Sequence, residues 1–372
     1  MTTGRCAAAL LLTCFLAALT GCGRGPATPA RAERHLSIYN WADYIGKTTI
    51  ADFERETGIK VDYDTFDSDT TMEAKMLAGG SGYDVVSTSQ NYFGRQIKAG
   101  AYREIDRSLL PNWKNVDPTV PPLLARFDPG NRHAVPFLHA INGFTYNIEM
   151  VKARMPDAPV DSLDLIFKPE NIKRFADCGV TFLDSAEDVL QLALNYLHLD
   201  PNTTRPEDYK QAEELLLRVR PYIRTFDSSE FMNGLANQEI CIAMTWSSDY
   251  AVAMGRARAA GIKLSLAFTA PKEGSNATFN GWLIPFDAPH VAEAHEFINY
   301  MLRPDVIAKV TNDTFYGNDN AAAMPFVDPF IRNDPTLYPT PAMRARQYLP
   351  GEVSIATERI RTRTWTHIKT SL

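Results

Sequence analysis

Carboxylates, aromatic rings or both gather at four places in this chain: Trp41-Ala42-Asp43-Tyr44, Asp184-Ser185-Ala186-Glu187, Trp246-Ser247-Ser248-Asp249 and Phe315-Tyr316-Gly317-Asn318. Together these residue types make a receptor for an alkylammonium ion. Ring faces attract the cation and pack on its methylenes, at roughly 0.5–2 kcal/mol per contact. Carboxylates accept its N–H bonds, and a desolvated ammonium–carboxylate pair adds about 4 kcal/mol of gross Coulomb attraction at an effective dielectric near 20. The carboxylates would therefore dominate selection, and the rings would read length and shape. Each residue also has a plainer use. Trp41 and Tyr44 can pack on a neighbouring loop, and Asp184 and Asp249 can cap helices. Asp184 with Glu187 also imitates the carboxylate pair of a glycoside hydrolase, but paired carboxylates in a cleft bind cations equally well.

The elements that must position these residues alternate. Leu36 to Asn40, Ile59 to Phe66 and Asp84 to Val86 read as strands, with helices over Thr49 to Thr57, Thr71 to Leu77 and Tyr92 to Ala99. Gly58 stops the first helix and Gly79-Gly80 the second, while Asp69 or Thr70 is a candidate cap between them. A second series follows: strands over Val180 to Leu183, Ile240 to Thr245, Leu264 to Phe268 and Trp282 to Pro285. Its helices are Glu187 to Tyr196, Pro206 to Val219, Asp249 to Ala260, His290 to Leu302 and Pro304 to Val310. Repeated βα units predict an α/β protein with a mainly parallel sheet covered on both faces. Two such blocks in 372 residues suit two lobes with a cleft between them. Ligands of open α/β sheets collect at the carboxyl ends of strands, where three of the four places lie.

Composition narrows the class. A charged fraction of 22% and a hydrophobic fraction of 45% describe a globular protein. A net charge of -6 without basic runs argues against nucleic acid and mildly favours cationic ligands. Arg5, the apolar run Ala7 to Leu19 and Leu19-Thr20-Gly21-Cys22 read as a secretory signal over residues 1–21, ending in a sequence similar to the bacterial lipoprotein box. Cys22 would then carry lipid, and residues 22–34, rich in Gly, Pro and Ala, would form a tether. With Cys6 and Cys14 inside the signal, Cys178 and Cys241 remain as a pair in an oxidising compartment, where a disulfide is favoured over two buried thiols. No metal-ligand spacing, nucleophile elbow or P-loop occurs, so neither a metal, a cofactor nor catalysis is expected.

Read from the residues alone, this is a two-lobed binder with its ligand open. A resemblance supplies more. Ile38-Tyr39-Asn40-Trp41-Ala42-Asp43-Tyr44-Ile45 resembles the opening of bacterial putrescine- and spermidine-binding proteins, which usually read Tyr-Asn-Trp-Ser-Asp-Tyr-Ile. The similarity continues through Gly82-Tyr83-Asp84-Val85-Val86, Val160-Asp161-Ser162-Leu163-Asp164-Leu165-Ile166, Leu302-Arg303-Pro304-Asp305-Val306 and Arg361-Thr362-Arg363-Thr364-Trp365-Thr366, covering residues 35–372. It implies a type II periplasmic-binding-protein fold with two α/β lobes joined by a hinge. One lobe would hold 35–139 and 281–324, the other 140–280 and 325–372. It further implies a monomeric receptor in the periplasm that delivers a polyamine to an ABC transporter permease served by a cytoplasmic ATPase, with membrane contact through the lipid alone.

Carried over by position, Trp41, Tyr44 and Tyr316 would line the cleft, and Asp43 would sit close to one amine. Ser89 would offer a hydroxyl, Asp184 and Glu187 would be the acids of the second lobe, Trp246 would stack on methylenes, and Asp249 would bind an ammonium. Three positions depart from the family. Ala42 replaces a serine, Thr278 stands where a ring is usual, and Asn280 replaces an aspartate. A neutral amide holds an ammonium less strongly than a carboxylate, so another organic cation or a modified polyamine is the alternative ligand. A secreted hydrolase is the alternative from a different class.

Overall fold

The computed structural model describes residues 34–371 except Asp43 and Asp67. The signal segment, Cys22 and Asp43 therefore lie outside the described residues. Eleven strands occur among them: β1 (Arg34–Trp41), β2 (Ile59–Phe66), β3 (Val85–Ser89), β4 (Val135–Asn147), β5 (Val180–Phe182), β6 (Thr225–Phe226), β7 (Ile242–Trp246), β8 (Leu266–Thr269), β9 (Ser275–Leu283), β10 (Gly317–Asn318) and β11 (Gln347–Tyr348). The main order is β2-β1-β3-β9-β4-β7-β5-β6, with β8 and β10 on β4 and β11 on β9.

Two parallel blocks flank an antiparallel centre. In the first block β2 and β3 run parallel to β1; in the second β6 and β7 run parallel to β5. The pairs β3–β9, β9–β4 and β4–β7 are all antiparallel. The expected parallel arrangement thus holds inside each block and fails where they meet, because β9 extends the first block from β3, β4 extends the second from β7, and the two pair antiparallel with each other. Val135 to Ile141 of β4 pairs with β9, and Asn142 to Tyr146 pairs with β7. Its register shifts between Pro136 and His139, where a proline without an N–H interrupts the ladder. Further along, β8 takes the edge that β9 leaves. A side chain at Gly143 would collide with the Thr269 carbonyl there, so glycine is what lets the two backbones approach.

Local signals explain the helices. Thr49–Thr57 buries Phe53 and ends at Gly58, whose φ of 71° closes the helix through its N–H to Glu54. Pro206–Val219 starts on a proline at its first turn and buries Tyr209, Ala212, Leu215, Leu216 and Val219 along one face. One core gathers Leu36, Ile38, Phe53, Trp282 and Phe297. A second gathers Phe144, Phe167, Phe182, Leu190 and Leu216, and extends to Tyr39 and Phe93. The helix Ile355–Thr370 has no forerunner in the sequence reading; it is polar on most faces and is seated by Trp365 and Ile368. Among the described residues no helix is long and apolar enough to cross a membrane.

Cys178 and Cys241 form the expected disulfide, with Cα atoms 5.6 Å apart. It ties the entry of β5 to that of β7 across 63 residues of sequence. Restricting a loop of that size in the unfolded chain stabilises the fold by about 2–4 kcal/mol. The double variant Cys178→Ala/Cys241→Ala is expected to lose that amount in urea denaturation, and an unchanged midpoint would rule the contribution out.

Candidate functional site

β1 delivers Trp41 half-buried at its end, with its ring 4.5 Å from that of Phe66, its cross-strand partner on β2. Ala42 follows, exposed, and donates its N–H to the Phe66 carbonyl at 3.1 Å. Tyr44 is buried against Tyr316, ring to ring at 4.2 Å, and against Phe137. Tyr316 is aimed by its neighbour: Phe315 ends the helix Pro304–Thr314 in a left-handed conformation, φ 64°. A bulky residue holds such a backbone only where its surroundings require it. Burial pushes the Tyr44 phenol well above its ordinary pKa, and Tyr316, Asp249, Asp319 and Asp69 add to the rise.

On β3 and β9, Ser89 and Asn280 are cross-strand partners. Asn280 donates an amide N–H to the Tyr44 hydroxyl at 3.0 Å. Thr278 lies two residues earlier on β9, half-buried and on the same face. Ser89 holds the cap position of the helix Gln90–Lys98, yet its hydroxyl makes no capping bond. It donates instead to one oxygen of Asp69 at 3.2 Å, while Thr88 donates to the other at 3.0 Å. Asp69 keeps one solvent-facing edge, but its carboxyl lies within the fold, and burial pushes its pKa up to about 8. The nearby Glu187 charge adds to this, against the two hydroxyl bonds and Arg95.

The second block contributes Trp246 at the end of β7, half-buried and opposite Asn142 of β4. Its N–H donates to Asp249 at 2.9 Å, so the acid fixes the backbone that carries the indole. Asp249 is 3% exposed. Burial pushes its pKa up to about 7, against the pull of that N–H, Ser248 and Arg256. It is not a helix cap; Ser248 occupies that position. The ends of β1 and β7 meet across β9 and β4: Asn280 of β9 bonds to Tyr44, Thr278 of β9 pairs with Ala140 of β4, and the Ile141 N–H donates to the Ser247 hydroxyl at 3.4 Å.

Glu187 lies in the first turn of the helix Ala186–Tyr196. The Asn91 amide donates to its two oxygens at 3.0 and 3.2 Å, linking the blocks, and Arg361 stands 3.3 Å away. Burial still raises its pKa, with Arg361 opposing. Asp184 departs from the group. It is exposed, and its carboxylate accepts from the Trp365 indole at 3.0 Å and from Lys369 at 2.7 Å. That acid tethers the C-terminal helix, and its partners are not those of Glu187. Asp184→Asn is therefore expected to leave ligand affinity within twofold by calorimetry and to cost less than about 1 kcal/mol of stability, as for other exposed ion pairs.

Sequence reasoning missed Asp69, Asn91 and Arg361. Asp69 met the same criterion as the others, an acid just after a strand, but its neighbour Ser68 is what caps the next helix. Nothing local in the sequence marks Arg361 as the partner of Glu187.

The sequence profile of the bacterial extracellular solute-binding protein family matches residues 48–339. The chain belongs to this family. It is 45% identical over 344 residues to the putrescine-binding periplasmic protein PotF of Escherichia coli, covering 92% of this chain and 93% of PotF. To a putrescine/agmatine-binding protein of Pseudomonas aeruginosa it is 42% identical over 357 residues, 95% of this chain and 97% of that one. Among solved structures, a putative spermidine/putrescine ABC transporter from Listeria monocytogenes superposes with a TM-score of 0.80 at 29% identity, covering 91% of this chain and 99% of that one. The architecture of this solute-binding protein is accordingly the two-lobed type II arrangement of a mixed α/β sheet. The converging strand ends occupy the junction that β4 and β9 span.

Proposed function

We propose that this protein is the extracytoplasmic receptor of an ABC importer and that it captures a polyamine of the putrescine and spermidine class at the converging strand ends. One observation carries the reading. Asp249 is an almost fully buried carboxylate beside an indole, and among the described residues no Lys, Arg or His pairs with it. A buried acid without a counter-ion is costly unless a cation arrives. Tyr44, Tyr316, Trp41 and Trp246 would supply the apolar walls that a methylene chain needs, and Asp43 and Glu187 further acceptors. A ligand carboxylate finds little here, since Arg361 is already engaged by Glu187 and Glu358.

The function is capture without catalysis. The lobes are taken as 35–139 with 281–324 and 140–280 with 325–372, and the pairing of β9 with β3, of β4 with β7 and of the two with each other supports crossings at those points. A ligand that touches Asp249 on one side and Tyr44 on the other stabilises the closed arrangement by its differential affinity for it. The closed monomer would then dock on a permease whose cytoplasmic ATPase drives release. Lipid on Cys22 would hold the receptor at the membrane through a short tether.

Calorimetry with putrescine, cadaverine, spermidine, spermine, agmatine and N-acetylputrescine tests the reading. Putrescine-class affinity in the micromolar range or tighter is expected. Failure of every amine to bind at millimolar concentration would remove the polyamine assignment.

A further inference from the structure

Resting on the polyamine reading, we propose that Asp69 is the second ammonium anchor of the cleft, standing in for the carboxylate that residue 280 does not carry. Asn280 spends its amide N–H on the Tyr44 hydroxyl and leaves a buried Oδ1 without a hydrogen-bond partner, at 4% exposure. That oxygen is neutral, so it can accept from an ammonium but cannot balance its charge. Its cross-strand neighbour Ser89 hands the position on: the Ser89 hydroxyl, with that of Thr88, holds the Asp69 carboxylate beside the same strand pair.

The surrounding cations are spoken for. Arg95, whose positive charge acts on Asp69, gives its guanidinium to Glu73 through two hydrogen bonds. Glu187, the other acid on this side, is matched by Arg361. Asp69, Asp188 and Asp249 are described carboxylates at this junction without an ion pair; Asp188 is held by Ser185 and Asn276, and it is Asp69 and Asp249 whose charges the Tyr44 phenol feels. Two such carboxylates around one aromatic wall suit a ligand with two ammonium ends. The second charge would come from the first turn of the helix Asp69–Ala78, where β9 offers only the neutral Asn280. A diamine therefore remains the expected ligand class, and a ligand with one neutral end is disfavoured.

The test compares putrescine with N-acetylputrescine, which keeps one ammonium, on the wild type, Asp69→Asn and Asp69→Asn/Asn280→Asp. The wild type is expected to favour putrescine at least 100-fold. Asp69→Asn should weaken putrescine by roughly 10- to 100-fold, change N-acetylputrescine less than threefold, and melt no lower than the wild type, since it removes a buried acid. Returning a carboxylate at 280 should recover at least tenfold of the putrescine affinity, an effect that a merely structural role for Asp69 would not produce. A wild type that binds both amines equally, or an Asp69→Asn protein that keeps putrescine affinity within threefold, overturns the assignment while leaving the polyamine reading intact. A wild type that binds neither of these two amines overturns the assignment, and one that binds none of the six amines of the calorimetric panel overturns both.

Discussion

Asp249→Asn is expected to lower putrescine affinity by roughly 30- to 1,000-fold while raising the thermal stability of the ligand-free protein. The two effects have one cause. In the empty cleft Asp249 is a buried acid whose ionisation the fold opposes, as its pKa of about 7 shows. An amide of the same shape removes that penalty, keeps an oxygen for the Trp246 N–H, and leaves the indole in place. In the complex the carboxylate meets an ammonium away from water, and removing one partner of such a buried pair typically costs about 2–5 kcal/mol, with tenfold in affinity for each 1.4 kcal/mol. Opposite signs for binding and stability separate this result from misfolding, which lowers both. Titration calorimetry and thermal melts of the same preparation decide it; an affinity within threefold of wild type would show that Asp249 is not the anchor.

Polyamine binding is further expected to release protons and to tighten as pH rises from 6 to 8.5. The folded-state pKa values of Asp249 and Asp69 stand at about 7 and about 8, above the ordinary aspartate value of 3.8. A raised folded pKa contributes stability that is full below the unfolded pKa and is lost as pH climbs through the folded one. The ligand-free protein should therefore melt higher at pH 5 than at pH 8.5. An arriving ammonium favours the ionised acids and expels their protons. Each carboxylate can contribute up to about tenfold in affinity per pH unit below its pKa, while aliphatic amines, with a pKa near 10.4, remain charged throughout. Calorimetry in buffers of unlike ionisation enthalpy counts the protons, and a binding heat independent of buffer at pH 7 would sink this account. Asp249→Asn should reduce the count, and Asp69→Asn should flatten the upper part of the pH profile.

Local chemistry was legible before any fold was known. The helix Pro206–Val219 has its proline start and apolar face written in consecutive residues, and Thr49–Thr57 has its glycine stop. The acid-after-strand pattern led to Asp249 and Glu187, and the aromatic clusters to Tyr44 and Tyr316, all of which the structure brings toward one junction. Spacing could not separate Asp184 from Glu187. They lie three residues apart, yet one precedes the helix and bonds to Trp365 and Lys369 at the far end of the chain, while the other sits within it and meets Asn91.

Residue types and short periodicities by themselves determined the βα blocks, the strand-end placement of the acids and the Cys178–Cys241 pair, because each depends on neighbours in sequence or on counting. Tertiary structure alone decided the antiparallel passage of β4 and β9 between the blocks and the seating of the helix Ile355–Thr370. It alone decided which acid keeps a cation, with Glu187 matched by Arg361 and Asp69 by hydroxyls only. Strand pairing and burial are made by residues tens to hundreds of positions apart, and a carboxylate's charge is set by the partners and solvent it meets there.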